Sequence, residues 1–210
     1  MRVEEAERYF DRLYRLEKGL AEEFPERPVY RAMLGLAQVN RGGGYLNAGR
    51  PMDRARELLE AGIAELRAAI ALAGEADLMH RRWLADAYCS QVKVFARLGQ
   101  FSHLDAATRE LLKNELPRGQ HLYLAACALG YAAPRAREST TLPRLQRTLL
   151  ALFYRTRAMD LLGDAAKRGF ATAARIKSDT DLDDLRALTE YRTLLVRLDQ
   201  PAAEAQPPDP

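Results

Sequence analysis

Glycine residues divide this chain at regular intervals, and their spacing constrains the fold more than any other feature. Gly49, Gly74 and Gly99 are 25 residues apart, and Phe24-Pro25 lies close to one interval earlier. A glycine after an apolar run supplies the left-handed conformation that ends many helices, and proline cannot continue a helix. Each segment between these positions is therefore expected to form one helix of about six turns.

Apolar side chains recur at helical spacing within these segments. Those of the first segment are Val3, Ala6, Phe10, Leu13, Leu16, Leu20 and Phe24. Each helix thus has one apolar face that a neighbouring helix must cover. Valine and isoleucine together number only nine, which leaves little material for a β-sheet. The sequence predicts an all-α fold of antiparallel helical hairpins joined by short turns.

A shift of 50 residues matches one part of the chain with another. Leu34 then falls on Leu84, Tyr45 on Phe95, and Gly49 on Gly99. The matched positions are small or apolar, as stacked hairpins require, because each hairpin exposes an apolar face until the next one covers it. The sequence therefore predicts a helical repeat.

The second half of the chain is less regular. HLYLAACALGY, residues 121–131, predicts a short helix with small residues that permit close packing. Residues 133–140 contain proline, charges and hydroxyls without apolar rhythm, which predicts an internal loop. Thr140 or Thr141 is then expected to cap a long helix that continues to about residue 168.

These features together indicate one domain. Residues 1–198 are interpreted as a single helical repeat domain, and residues 199–210, rich in proline and alanine, are expected to be disordered. Within the domain, Ser102 and Asp105 predict a capping box that starts a helix ending near Leu116.

The sequence around the first spaced glycine resembles the turn of a tetratricopeptide (TPR) hairpin. In RGGGYLNAGRP, residues 41–51, the family's small, aromatic and turn positions are occupied by Gly42, Tyr45 and Gly49. Val92, Phe95 and Gly99 occupy the same positions in the second hairpin. The resemblance implies a TPR-like α-solenoid with long helices.

Three longer segments resemble the non-catalytic C-terminal tails of bacterial eukaryotic-like serine/threonine protein kinases. They are LEKGLAEEFPERPVYRAMLGLA (16–37), LYLAACALGYAA (122–133) and the segment 158–195. The chain has no Gly-rich phosphate loop, His-Arg-Asp or Asp-Phe-Gly motif. The resemblance thus implies a bacterial, cytoplasmic scaffold or adaptor that is not an enzyme, needs no cofactor and binds a protein or peptide. The chain starts within what resembles a hairpin's second helix, which predicts self-association or a neighbouring domain.

In TPR arrays the first helix of each hairpin lines a concave groove, and the resemblance implies where a partner binds. The groove candidates are Val39, Gly43, Leu46, Asn47, Asp86, Cys89, Lys93 and Arg97. Lys93 and Arg97 are expected to bind a carboxylate, so Lys93→Glu with Arg97→Glu should abolish binding without lowering the melting temperature. Whether the groove is empty or filled by residues 141–168 stays open.

One stretch, residues 135–157, is strongly basic. It contains six arginines and one acid, Glu138; the arginines are Arg135, Arg137, Arg144, Arg147, Arg155 and Arg157. A patch of Arg144, Arg147, Arg155 and Arg157 that binds phosphates is the basis of an alternative function, a nucleic-acid-associated accessory protein. The favoured interpretation is a helix face that neutralises the Asp-rich segment nearby. The formal charge of +3 supports neither.

Two motifs imitate ligand sites but favour structural roles. Gly42-Gly43-Gly44 lies within a helical run, so close helix packing is favoured over a phosphate loop. Asp179, Asp181 and Asp183 imitate a calcium loop, but the sixth position is Asp184 where that loop needs glycine. Helix capping by these aspartates is the favoured interpretation.

The remaining residue types indicate a cytosolic protein without a metal. Cys89 and Cys127 are predicted to be free, buried thiols in a reducing compartment. The three histidines lack metal-ligand spacing. No run of about 18 apolar residues predicts a membrane span, and the start MRVEEAERYF lacks the apolar core of a signal peptide.

Overall fold

The described part of the chain consists of helices and contains no strand. The computed structural model describes residues 3–74 and 77–200, with the backbone only at residues 3, 4 and 6. The α-helices of these residues are α1 (Val3–Glu23), α2 (Pro28–Asn47), α3 (Met52–Ala73), α4 (Leu78–Leu98), α5 (Phe101–Lys113), α6 (Gln120–Glu138), α7 (Arg144–Lys167), α8 (Ala173–Ser178) and α9 (Thr189–Asp199). Two 3₁₀ helices span Pro117–Gly119 and Thr180–Leu185. The all-α prediction is confirmed.

The three regularly spaced glycines end helices, as predicted. Gly49, Gly74 and Gly99 have φ angles of 64°, 87° and 68°. Residues with a Cβ atom rarely adopt positive φ, so glycine ends a helix there with little strain. The next helix begins after a few residues, which sets the antiparallel course of α2, α3 and α4.

Helices that follow one another in the chain pack together. α2 packs on α3, α3 on α4, α4 on α5, and α6 on α7, while α4 also packs along α6. Gly35 and Gly62 bring α2 and α3 together, because a Cβ atom on Gly35 would lie 2.8 Å from the Gly62 carbonyl oxygen. The buried apolar side chains form one continuous cluster from α2 to α9.

α6 is longer than the sequence predicts, and the predicted internal loop at 133–140 is mostly helix. α6 continues to Glu138 with Pro134 inside it, and only residues 139–143 separate it from α7. An internal proline costs a helix about 3 kcal/mol. Ala132, Ala133 and Ala136 are fully buried, however, so packing keeps the helix intact past the proline.

Two helix starts also differ from the predictions. α7 begins at Arg144 after Pro143, and neither Thr140 nor Thr141 caps it. α5 begins at Phe101, so Ser102 lies within its first turn rather than at a cap. Phe101 is buried, and its packing draws the start of α5 up to the glycine turn. At α7, Pro143 occupies the N-cap position, so both threonines lie outside the helix.

The C-terminal segment folds back onto α6. The 3₁₀ helix Thr180–Leu185 packs so closely there that a Cβ atom on Gly130 would lie 2.7 Å from the Asp181 carbonyl oxygen. The predicted disordered tail, 199–210, begins too early, because α9 includes Asp199 and Gln200 is also described; residues 201–210 lie outside the described residues. Among the helices described, none combines the length and apolar character needed to cross a bilayer.

Candidate functional site

An open cleft of about 590 Å³ lies between the first half of α4 and the segment leading into α6. It is lined by Leu78, Met79, Arg82, Trp83, Asp86, Leu116, Pro117 and Gln120. We call it the α4 cleft. Its volume falls within the range of about 300–1,000 Å³ typical of ligand-binding pockets. The lining combines apolar side chains with one arginine and one carboxylate, which suits a polypeptide segment that carries both apolar and charged groups.

A side-chain cap fixes the α4 side of the cleft. One carboxylate oxygen of Asp77 accepts hydrogen bonds from the backbone N–H groups of Met79 (3.0 Å) and His80 (3.1 Å). This N-cap starts α4 and leaves the side chains of Leu78 and Met79 about half exposed. The ring of His80 is buried, and it contacts the ring of Trp83 with centroids 5.5 Å apart. The indole is therefore held at the edge of the cleft.

Hydrogen bonds fix the opposite side of the cleft. The backbone N–H of Leu116 donates to Nδ1 of His121 at 2.9 Å. The side-chain amide of Asn114 donates to the carbonyl oxygen of Arg81 at 2.6 Å, and Arg81 donates to the carbonyl oxygen of Glu115 at 2.5 Å. The loop after α5 is thereby tied to α4, and both walls are ordered before any ligand arrives.

Two opposite charges define the electrostatics of the cleft. Burial around its carboxyl raises the pKa of Asp86, and the nearby Arg82 acts in the opposite direction. On the far side of the loop, burial of the His121 ring lowers its pKa, which favours the neutral imidazole that accepts the Leu116 N–H. The cleft thus offers a carboxylate and a guanidinium on successive turns of α4 around an apolar floor.

Four of the eight groove candidates, Asn47, Asp86, Lys93 and Arg97, have polar side chains and lie in three different settings. Asn47 and Arg97 are exposed neighbours, since the Arg97 guanidinium donates to the carbonyl oxygen of Leu46 at 3.1 Å. Asp86 lines the α4 cleft, several turns away along α4. Lys93 is half-buried, and its ammonium group pairs with the Asp181 carboxylate. Asn47 and Arg97 therefore lie close together, and Asp86 lies in a separate cleft. The ammonium group of Lys93 is already paired with Asp181 and is not available to a partner.

The side chain of Lys93 is covered by the C-terminal segment and by α6. Asp181 belongs to the 3₁₀ helix Thr180–Leu185, which packs against α6. The Lys93 ammonium also lies 5.6 Å from the ring centroid of Tyr131 on α6. Lys93 was expected to bind the carboxylate of a partner, but it binds the carboxylate of Asp181 in the same chain.

Most of the basic stretch is also used within the chain. Arg137 and Arg155 contact the Asp184 carboxylate at 3.0 and 3.2 Å. Arg135 donates to the Tyr131 carbonyl oxygen at 2.7 Å and stacks 3.4 Å from the centroid of that ring. Arg137 and Arg155 thus neutralise Asp184 in the Asp-rich segment, as the favoured interpretation of the sequence predicts.

The phosphate-binding patch proposed for the alternative function has four arginines, and two of them have partners within the chain. Arg155 pairs with Asp184, and Arg147 donates to the carbonyl oxygen of Ser139 at 3.1 Å. Arg144 and Arg157 are exposed and make no ion pair with any residue in the described ranges. Two separate cations form a small electrostatic footprint for nucleic acid, whose binding grows with each phosphate neutralised.

The aspartates of the C-terminal segment have structural partners. Asp179 caps the 3₁₀ helix by accepting the N–H of Asp181 at 3.0 Å, so the capping prediction is confirmed for this residue. Its other oxygen accepts the Tyr123 hydroxyl at 2.9 Å. Within residues 3–74 and 77–200, no cluster of three or more His, Cys, Asp or Glu side chains is arranged to hold a metal ion.

Both cysteines are free and buried, as predicted. Burial raises the pKa of the Cys89 thiol to about 11. Burial and the neighbouring Asp179 carboxylate raise the pKa of Cys127 as well, and its Sγ lies 3.2 Å from that carboxylate. Protonated thiols are weak nucleophiles. At neutral pH these side chains act as small apolar groups in the core.

Sequence reasoning missed the apolar part of the α4 cleft. The structure places Trp83 half-buried in the lining of this cleft. A usable signal was the 50-residue shift, because it matches Met79 with Val29, and both side chains are exposed. The chain gives no match in comparisons with protein-family models, curated proteins or solved structures.

Proposed function

We propose that this protein is a non-catalytic interaction scaffold that binds a segment of a partner protein in the α4 cleft. The observation that carries the proposal is the cleft itself, a preformed depression with exposed Leu78 and Met79, a half-buried Trp83 and the charged pair Arg82 and Asp86. Polypeptide binding needs apolar pockets for affinity and a few fixed charges for orientation.

The packing of the helices supports a TPR-type solenoid as part of this proposal. α4 contacts both α2 and α6, as the first helices of successive hairpins do in such arrays. On this interpretation α2, α4 and α6 share one face, and the cleft is the part of that face which the C-terminal segment leaves open. The resemblance to bacterial kinase tails extends the proposal to a cytoplasmic regulatory tail or adaptor that acts beside a serine/threonine kinase.

Trp83 makes the proposal directly testable, because it is the only tryptophan in the chain. Random twelve-residue peptides displayed on phage are selected on the full chain, and the peptides recovered are synthesised and titrated. Binding in the cleft should change the tryptophan emission. Met79→Glu should weaken binding about tenfold or more, because it places a charge on the apolar floor.

The matched control is Leu72→Glu on α3, at a side chain 51% exposed against 49% for Met79. Leu72 does not line the cleft, so this variant should bind as the wild type does. The α4 cleft is not the binding site if the recovered peptides bind Met79→Glu and Leu72→Glu with equal affinity and leave the emission of Trp83 unchanged.

A further inference from the structure

Helix α7 has a second apolar face that no described residue covers. Leu145, Leu149, Leu152 and Phe153 are 69%, 56%, 58% and 56% exposed. They are spaced at i, i+4, i+7 and i+8, so they lie on one side of the helix. We call these four side chains the α7 stripe. The buried residues of α7, such as Tyr154 and Ala158, lie on the opposite side.

A helix that is apolar on two sides normally lies between two layers. Near its C-terminal end, α7 has such a second layer, because α9 packs beside Met159 and Gly163. The α7 stripe occupies the first half of the helix, beyond this contact. Single exposed leucines are common, but a contiguous apolar patch on a folded protein marks an interaction surface.

The residues of this sequence that lie outside the described ranges contain little apolar material. Residues 1–2 are Met and Arg, residues 75–76 are Glu and Ala, and residues 201–210 read PAAEAQPPDP. These residues contain no leucine, isoleucine, valine, phenylalanine, tyrosine or tryptophan. A face of three leucines and a phenylalanine needs large apolar side chains against it. An amphipathic helix presents such side chains in a single row.

The charges beside the α7 stripe indicate the chemistry of the segment that binds there. Residues 144–157 contain four arginines and no acid. Arg144 and Arg157, at the two ends of the α7 stripe, are exposed and have no ion-pair partner among the described residues, whereas Arg155 is paired with Asp184. A second copy of this chain would bring its own Arg144 and Arg157 to the same surface. Like charges at an interface are unfavourable, so an acidic partner fits better.

We propose that the α7 stripe binds an amphipathic helix of a partner protein, with apolar residues at i, i+3, i+4 and i+7 and an acidic residue beyond each end of that stripe. The acidic residues pair with Arg144 and Arg157, which are 13 residues apart, or about 20 Å along a helix. Helix-on-helix packing suits a straight stripe of this length. This surface is additional to the α4 cleft and does not depend on the cleft being occupied.

Two synthetic helical peptides with one shared Leu/Phe stripe test the proposal. One has glutamates 13 residues apart at the ends of the stripe, and the other has lysines there. In fluorescence anisotropy with the full chain, the glutamate peptide should bind at least about tenfold more tightly, and added salt should reduce the difference. Arg144→Glu with Arg157→Glu should reverse the preference. Equal binding of both peptides, or no binding of either, overturns the proposal.

Leu149→Glu with Leu152→Glu should abolish binding of the glutamate peptide and leave the melting temperature unchanged, since both side chains are exposed. Val196→Glu, at a side chain 60% exposed on α9, is the matched control and should bind normally. Other occupants give different results. If the wild type is a dimer in sedimentation equilibrium and Leu149→Glu dissociates it, the stripe binds a second copy of the chain. If the wild type sediments with phosphatidylserine vesicles and Leu149→Glu does not, the stripe binds a membrane. Either result overturns the proposal.

Discussion

Three consecutive glycines on α2 have different surroundings, which separates their roles residue by residue. A Cβ atom on Gly42 would lie 2.9 Å from Cγ of Leu59 and 3.2 Å from the carbonyl oxygen of Ala55. At Gly43 and Gly44, no atom outside the local helix lies within 4 Å of that position. Close helix packing therefore explains Gly42, as the sequence predicts, but it does not explain the other two.

Alanine substitutions at these positions should have opposite effects on stability. Gly43→Ala and Gly44→Ala should each raise the free energy of unfolding by up to about 1 kcal/mol, because alanine favours the helix and has room there. Gly42→Ala should lower it, because α3 must move away. Urea denaturation of the three single variants measures these differences. An equal effect at all three positions would contradict the described packing of α2 on α3.

Glu17 is an unusual buried acid on α1. It is 6% exposed, one of its carboxylate oxygens has no hydrogen-bond partner, and burial raises its pKa. A carboxyl group with a raised pKa in the folded state destabilises the fold at neutral pH. This penalty disappears as the pH falls below the pKa of the unfolded chain, since the group is then protonated in both states.

Glu17→Gln should therefore raise the free energy of unfolding by about 1 kcal/mol at pH 7 and have little effect near pH 3. The control is Glu23→Gln, at an exposed position on the same helix, which should change little at either pH. Thermal denaturation at both pH values gives the comparison. An effect of Glu17→Gln that does not depend on pH would mean that ionisation of this carboxyl group is not the cause.

At the scale of helices, ion pairs link α1 to α2 and to the turn that follows α2. Arg41 on α2 pairs with Glu7 at 2.5 Å and with Asp11 at 2.7 Å, and Arg50 contacts Glu7 at 3.0 Å. Burial opposes the ionisation of Glu7, but the hydrogen bond and charge of Arg41 outweigh it and lower its pKa. A lowered pKa stabilises the folded state above the pKa of the unfolded chain, and this contribution is lost as pH falls through the folded value.

Arg41→Ala should release α1 while α3 to α7 stay folded, because α1 packs mainly on α2. Hydrogen exchange of the α1 amides should become faster, and acidification of the wild type to about pH 3 should do the same in part. Lys18→Ala, which removes an exposed pair with Glu22, is the control and should leave exchange unchanged. Uniformly faster exchange in every helix would contradict this local attachment.

The sequence predicted some helices better than others for a physical reason. The ends of α2, α3 and α4 follow from glycine, whose conformational freedom is a local property of the residue. The persistence of α6 past Pro134 depends on Ala132 and Ala136 being buried by other parts of the chain, and no local pattern shows that. Boundaries set by tertiary packing are therefore the ones that sequence patterns misplace.

At the scale of the whole molecule, the main feature that the sequence concealed is the return of the C-terminal segment to the stack. Lys93 and Asp181 are 88 residues apart and form an ion pair in which each side chain is about 20% exposed. Local sequence patterns cannot predict a contact between residues so far apart in the chain. The pair also changes an earlier expectation, because Lys93→Glu is now predicted to lower the melting temperature rather than leave it unchanged.

The candidate site shows the same contrast between local sequence signals and contacts made by distant segments. Asp86 and Arg97 were found from the repeat and are exposed, whereas Lys93 had the right position on α4 but is covered by a distant segment. The sequence thus indicated α4 as a helix that carries the candidate site. Which half of that face stays open depends on where residues 179–185 pack, and that is a property of the assembled molecule.

A double-mutant cycle on this pair tests the central claim most directly, namely that neighbouring helices stack in chain order and the C-terminal segment closes one half of the α4 face. Lys93→Glu and Asp181→Lys should each lower the free energy of unfolding by about 1–3 kcal/mol, because each leaves a partly buried charge beside a like charge. The reversed pair, with both substitutions, should recover at least about 1 kcal/mol relative to the sum of the single effects. Strictly additive losses in urea denaturation would show that the two residues do not meet, and the closed half of the face would not exist.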